Sequence, residues 1–116
     1  MRHHSNTRKF GREKNQRAAL LRSLARNLIR DGRIKTTLAK AKELRPMVEK
    51  MVTKAKVVTV ASRRLISSRL RGVEETKKLF SELGPKYISR KGGYTRIIRM
   101  PNRDKDNSSM ALIEFV

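Results

Sequence analysis

The chain has 116 residues, with 30 Lys and Arg against 10 Asp and Glu, a formal charge of +20. This length supports one hydrophobic core, and an aromatic content of 4 % leaves little material for a large aromatic cofactor pocket. The absence of cysteine excludes disulfides, thiolate metal sites and a cysteine nucleophile together.

A surplus of twenty positive charges on so small a body repels itself and calls for a polyanionic partner. Nucleic acid fits best, because every phosphate met by Lys or Arg releases condensed counterions. An anionic membrane is the competing polyanion. No run of about 18 apolar residues occurs, and no apolar stretch follows the basic N-terminus as a signal-peptide core would. The expectation is a soluble, non-secreted protein. The charge is also polarised: residues 1–35 hold 11 basic and 2 acidic side chains, and the running surplus reaches +17 by residue 72.

In chain order, residues 1–14 contain Phe10 as their one large apolar side chain and are too polar to offset their ordering entropy. They are expected to form an extended basic arm ahead of a single α+β domain, residues 15–116. Asn15 is the candidate N-cap of a first helix, with Ala18, Leu21, Leu24, Ala25, Leu28 and Ile29 recurring at helical spacing. Arg22, Arg26 and Arg30 form a basic ridge opposite, and Asp31-Gly32 closes the helix. Arg33 to Thr36 alternates and predicts a short strand. Thr37 then caps a helix whose stripe is Ala41, Leu44, Val48, Met51 and Ala55, with Leu38 and Val52 beside it. Pro46 lies inside that pattern and is expected to kink the helix or to start a second one.

Val57 to Val60 is β-branched, yet Thr59 as a cap followed by Leu65, Ile66 and Leu70 favours a helix running to Arg71. Gly72 separates a fourth helix, with Val73, Thr76, Leu79, Phe80 and Leu83 on one face and Gly84-Pro85 as its stop. Tyr94 to Met100 and Met110 to Val116 read as strands of an antiparallel hairpin, joined by the early strand near Ile34. The expected fold is therefore α+β, with about four helices on a small three-stranded sheet and an extended basic N-terminal arm.

Two constellations bear on binding. Arg90-Lys91-Gly92-Gly93-Tyr94 combines two cations, two glycines that let backbone approach a phosphate, and a ring able to stack on a base. The same residues also fit an ordinary glycine turn with solvated cations. Arg63-Arg64 with Arg69 and Arg71 places four cations on one helix with no acid among them, which favours phosphate contact over a merely solvated face. Catalysis finds no support. The two histidines, His3 and His4, both lie in the arm with no partner to complete a metal site, Glu74-Glu75 suit a helix start, and neither Ser67-Ser68 nor Ser108-Ser109 has a histidine nearby in sequence. No metal, cofactor or small-molecule substrate is expected.

Taken together, several segments in order resemble one family. They are Met1-Arg2-His3, Arg33-Ile34-Lys35-Thr36-Thr37-Leu38 running on through Arg45, Ala61 with Arg63-Arg64-Leu65, and Leu79-Phe80 with Glu82-Leu83-Gly84-Pro85. Arg90, Gly92-Gly93-Tyr94-Thr95-Arg96-Ile97, Asp106-Asn107, Met110-Ala111 and Ile113-Glu114 complete the set. The chain resembles the bacterial large-subunit ribosomal protein seventeen family over nearly its whole length. It departs from that family's common pattern at Gln16, where histidine is usual, and at Lys105, where glycine is usual.

The resemblance implies a non-enzymatic cytoplasmic component of the bacterial ribosome, with an α+β body on the exterior of the large subunit near the exit tunnel and an arm threaded into rRNA. The partners implied are large-subunit rRNA and neighbouring ribosomal proteins, with no membrane. The residues expected on RNA are Arg2, His3, Arg8, Lys9, Arg12 and Arg17 of the arm, and Arg22, Arg26, Arg63, Arg64, Arg90 and Lys91 around the body. Gly92, Gly93 and Tyr94 complete the set. Two other readings of the charge are a helix-turn-helix DNA-binding protein, which needs two helices joined by a tight turn, and a cationic membrane-surface peptide.

Overall fold

The computed structural model describes residues 13–116, so the expectations placed on residues 1–12 lie outside the described residues. The order is α1 (Lys14–Asp31), β1 (Arg33–Thr37), α2 (Leu38–Ala55), α3 (Val60–Leu70), α4 (Val73–Lys78), β2 (Thr95–Met100) and β3 (Met110–Phe115). After α4 the chain winds on through a π-helical stretch, Leu79–Leu83, and a last turn, Gly84–Lys86. Four helices packed on a three-stranded antiparallel sheet make up the expected α+β fold.

The sheet has the order β1-β3-β2, with the last strand inserted between the other two. Its register aligns Ile34, Ile113 and Ile97 across all three strands, and they face the helices as one apolar row. One residue along, on the opposite face, Glu114 stands between Arg33 and Arg96 and accepts from Arg96 Nε at 2.6 Å. This two-residue alternation lets a strongly charged segment supply half of a core. The strand β1 also occupies the connection between α1 and α2, so these helices are not the tight-turn pair of a helix-turn-helix.

The helix α2 supplies the centre of the core. Ala41, Leu44, Val48, Met51, Val52 and Ala55 are all buried, as their spacing requires. Thr37 caps the helix, its side chain accepting from the Lys40 amide. Pro46 neither ends α2 nor begins another helix, contrary to one of the two expectations for it. Pro46 and Lys42 are both exposed, so the Lys42 carbonyl that loses its amide partner lies on the side where water can replace it.

Other boundaries move for identifiable reasons. The first helix starts at Lys14 with Glu13 as its N-cap, not at Asn15, because the Arg17 amide already donates to the Glu13 carbonyl at 2.8 Å. Arg17 thus belongs to α1 rather than to the arm. Gly32 closes this helix at φ 81°, a conformation glycine adopts without steric cost. In α3, Thr59 and Ser62 form a reciprocal capping box, which fixes the start left ambiguous by the valines around it. Val73 is exposed, so the apolar face of α4 begins later than its spacing suggests.

Gly84-Pro85 does not stop the fourth helix. The Gly84 amide donates to Leu79 five residues back, and the winding continues to Lys86. A β-carbon on Gly84 would stand 2.7 Å from the Ala55 carbonyl oxygen, so the glycine serves close packing against α2 rather than chain reversal. In the β2–β3 loop, Asn107 takes the left-handed conformation, at φ 57°. Lys105 is not in that region, so the loop forms without a glycine there. Arg103 and Asp106 clamp it from within, at 2.9 Å.

A polar staple fixes α2 to β2. Thr95 Oγ1 donates to Glu49 Oε2 at 2.7 Å, Arg45 Nε donates to the same oxygen at 3.3 Å, and Arg45 Nη2 donates to the Thr95 carbonyl. Burial opposes ionisation of Glu49, but the bonds from Thr95 and Arg45 and the Gly93 amide outweigh it and hold the carboxyl below its ordinary value. The stabilisation is complete above the unfolded-chain value near 4.5 and is lost as pH falls through the lower folded value. Glu49→Gln is expected to cost about 1 to 2 kcal/mol at neutral pH and to flatten the acid limb of a denaturant-measured stability profile. Gly84→Ala is expected to lower stability by about 1 to 3 kcal/mol through overpacking against the α2 backbone, measured by thermal unfolding.

Candidate nucleic-acid interface

The cations divide into those the fold consumes and those it leaves outward. Arg26 belongs to the first group. Its Nη1 donates to the carbonyls of Leu70 at 3.3 Å and Arg71 at 3.2 Å, the last acceptors of α3. Arg71 leaves the helix in the left-handed conformation, at φ 53°. Arg26 thus ties α1 to the end of α3, so one nitrogen of a guanidinium expected on RNA is already engaged within the fold. Arg30 is held by Asp31 at 3.1 Å, so among the described residues Arg22 is the ridge member without a hydrogen bond or ion pair.

Arg22 is brought together with Lys50 of α2 and Arg69 of α3 around a groove floored by Leu21, Met47 and Met51. A second groove, between α3 and the α4 winding, carries Arg63, Arg64 and Lys77. No carboxylate lines either groove among the described residues. By contrast, the neighbouring concavity around Arg30, Lys77 and Lys78 includes Glu74, Glu75 and Glu82 and is mixed in charge. The basic surface therefore runs over α1, α2 and α3 and ends at the acidic start of α4. Lys50, Arg69 and Lys77 join it through folding. Arg69 was visible as part of a basic helix, whereas Lys50 and Lys77 carried no signal because their grooves are made by helices distant in sequence.

The glycine segment has a different character. Arg90 and Lys91 are exposed, and nothing lies within 4 Å of where a β-carbon would stand on Gly92 or Gly93. Gly93 turns the chain at φ 64°. Its amide faces the Glu49 carboxylate, so this glycine works for the fold, as the ordinary-turn reading required. Gly92 and the two cations remain outward.

Tyr94 does not stack on a base from this position, because it is completely buried. Its ring lies 5.1 Å from that of Tyr87, the Lys56 ammonium sits 4.7 Å from its centroid, and its hydroxyl pairs with Thr53 at 3.1 Å. Lys56 also donates to the Arg90 carbonyl, and Tyr87 donates to the carbonyl of Val116. The ring was a candidate because glycines and cations precede it. Its position just before a strand whose alternate residues face inward explains why it joins the core instead.

These features define a basic α+β protein, and its described residues hold no group of three metal-ligating side chains and no helix long and apolar enough to cross a membrane. Residues 20–116 match the family described as Ribosomal protein L17. The chain is also 50 % identical, over all of its length and 98 % of the relative's, to the large ribosomal subunit protein bL17 of Gemmatimonas aurantiaca. The chain belongs to the ribosomal protein L17 family, a family of structural, non-enzymatic ribosomal components.

The division of labour among the arginines is measurable. Arg26→Met is expected to lower stability by about 1 kcal/mol through loss of its bonds to the α3 end. Arg22→Met is expected to leave thermal unfolding within about 0.5 kcal/mol of the parent, as surface substitutions usually do.

Proposed function

We propose that the protein is a structural constituent of the bacterial large ribosomal subunit, working in the cytoplasm, that binds and stabilises large-subunit rRNA through its basic surface. The observation that carries this reading is the pair of grooves lined by Arg22, Lys50 and Arg69 and by Arg63, Arg64 and Lys77 with no carboxylate among the described residues. Membership of the family supports rRNA and neighbouring ribosomal proteins as partners.

The body supplies phosphate contacts from Arg17, Arg22, Arg63, Arg64, Arg90 and Lys91, while Gly92 lets backbone approach the RNA closely. Arg2, His3, Arg8, Lys9 and Arg12 extend the contact along the arm. Such binding neutralises repulsion between rRNA segments and locks their relative positions during assembly. Most of these contacts read charge and shape rather than sequence, so the RNA fold determines where the protein sits.

Filter binding of the full chain to large-subunit rRNA over a salt series tests the reading. Replacing Arg63 and Arg64 together with alanine is expected to reduce the slope of log affinity against log salt by about 1.4 to 1.8, corresponding to two lost phosphate contacts. Arg103→Ala, which removes a cation already held by Asp106, is expected to leave the slope unchanged. A double variant with the parent slope would refute the assignment of these two arginines.

A further inference from the structure

The groove between α3 and the α4 winding is unusual for a phosphate-binding surface in having an apolar floor. It is an open groove of about 840 Å³, lined by exposed Val73 and by the edge of Phe80, 9 % exposed at the margin of the core, beside Arg63, Arg64 and Lys77. The Arg63 guanidinium stands over the Phe80 ring, 5.5 Å from its centroid. Such a pair holds a flexible arginine in place and presents planar groups together. Phe80 and Ser81 reach the groove from the π-helical stretch, a local widening of the helix that often accompanies functional sites. Ser67 and Ser81 add hydroxyls.

Three cations without a carboxylate call for an anion, while the apolar floor and the Arg63–Phe80 pair call for a flat apolar body attached to it. A nucleotide supplies both. A base inside a duplex does not, because its faces are covered by its neighbours, whereas a nucleotide from a loop or bulge can be splayed out and stacked on aromatic or arginine planes.

We propose that this groove receives one unstacked nucleotide of large-subunit rRNA, its base against the Arg63–Phe80 pair and its phosphates on Arg64, Lys77 and the outward edge of the Arg63 guanidinium. The inference rests on the rRNA-binding reading above and adds a defined pocket to a surface otherwise described by charge.

Ultraviolet irradiation of the full chain bound to large-subunit rRNA, followed by peptide mapping, is expected to place a cross-linked nucleotide on Phe80. Ser67→Leu fills the groove without changing charge. It is expected to weaken rRNA binding about five- to a hundredfold, the range for loss of one stacked base, with the salt slope retained. Val73→Asp, at an exposed position, places a carboxylate in the groove and is expected to abolish the Phe80 cross-link. Parent protein that binds rRNA with a steep salt slope but gives no cross-link in the groove would overturn the pocket and leave the broader reading intact. The same holds if Ser67→Leu binds within twofold of the parent, or if chemical cross-linking of intact subunits places a neighbouring protein across Ser67 and Ser81. Failure of the parent protein to bind rRNA at all would remove both readings.

Discussion

The buried stripe of α2 is the interaction on which the other elements depend. A surplus of twenty positive charges opposes compaction, and isolated surface ion pairs contribute at most about 1 kcal/mol each. Apolar burial must therefore provide the cohesion. Ala41, Leu44, Val48, Met51, Val52 and Ala55 make one continuous buried face, against which the sheet, α1, α3 and the α4 winding pack. At Ala55, Gly84 admits the winding directly onto the α2 backbone.

Scarce acidic groups are placed where they secure geometry rather than where they would neutralise the surface. Glu49 fixes α2 to β2, Glu114 sits between two arginines on the outer face of the sheet, and Asp106 holds its hairpin loop. Each satisfies a cation close to itself, and no carboxylate lines the grooves along α1, α2 and α3 among the described residues. Arg22 and Arg26, four residues apart on one helix, illustrate the division. Arg26 spans to the end of α3 and completes its last turn, while Arg22 meets Lys50 and Arg69 at a groove. A substitution at Arg26 removes a tie between two helices, whereas one at Arg22 changes the lining of a groove.

The near-neutral C-terminal segment serves the body in a similar way. Three of the five aromatic side chains, Tyr87, Tyr94 and Phe115, gather there, with the Lys56 ammonium closing over the Tyr94 ring. The hairpin thereby anchors the chain terminus to the end of α2. The exposed Arg90, Lys91 and Gly92 are consequently carried on a rigid base, although the segment itself is a loop. Rigid presentation reduces the entropy lost when such cations meet phosphate.

By itself, the sequence determined the α+β class, the three strands, the α2 stripe, the Thr37 and Thr59 caps and the polarity of the charge. These follow from periodicity and local capping, which depend on residues within one or two turns of each other. Only the tertiary structure decided that Pro46 is absorbed on a solvent-facing side, that Gly84 is a packing glycine, that Tyr94 is core and that Arg26 is a tie between helices. It also decided which cations share a groove, since Lys50 and Arg69, or Arg64 and Lys77, become neighbours only when separate helices meet. A local pattern fixes which face of an element is apolar, but the partner of a polar or aromatic side chain depends on what is laid against that face.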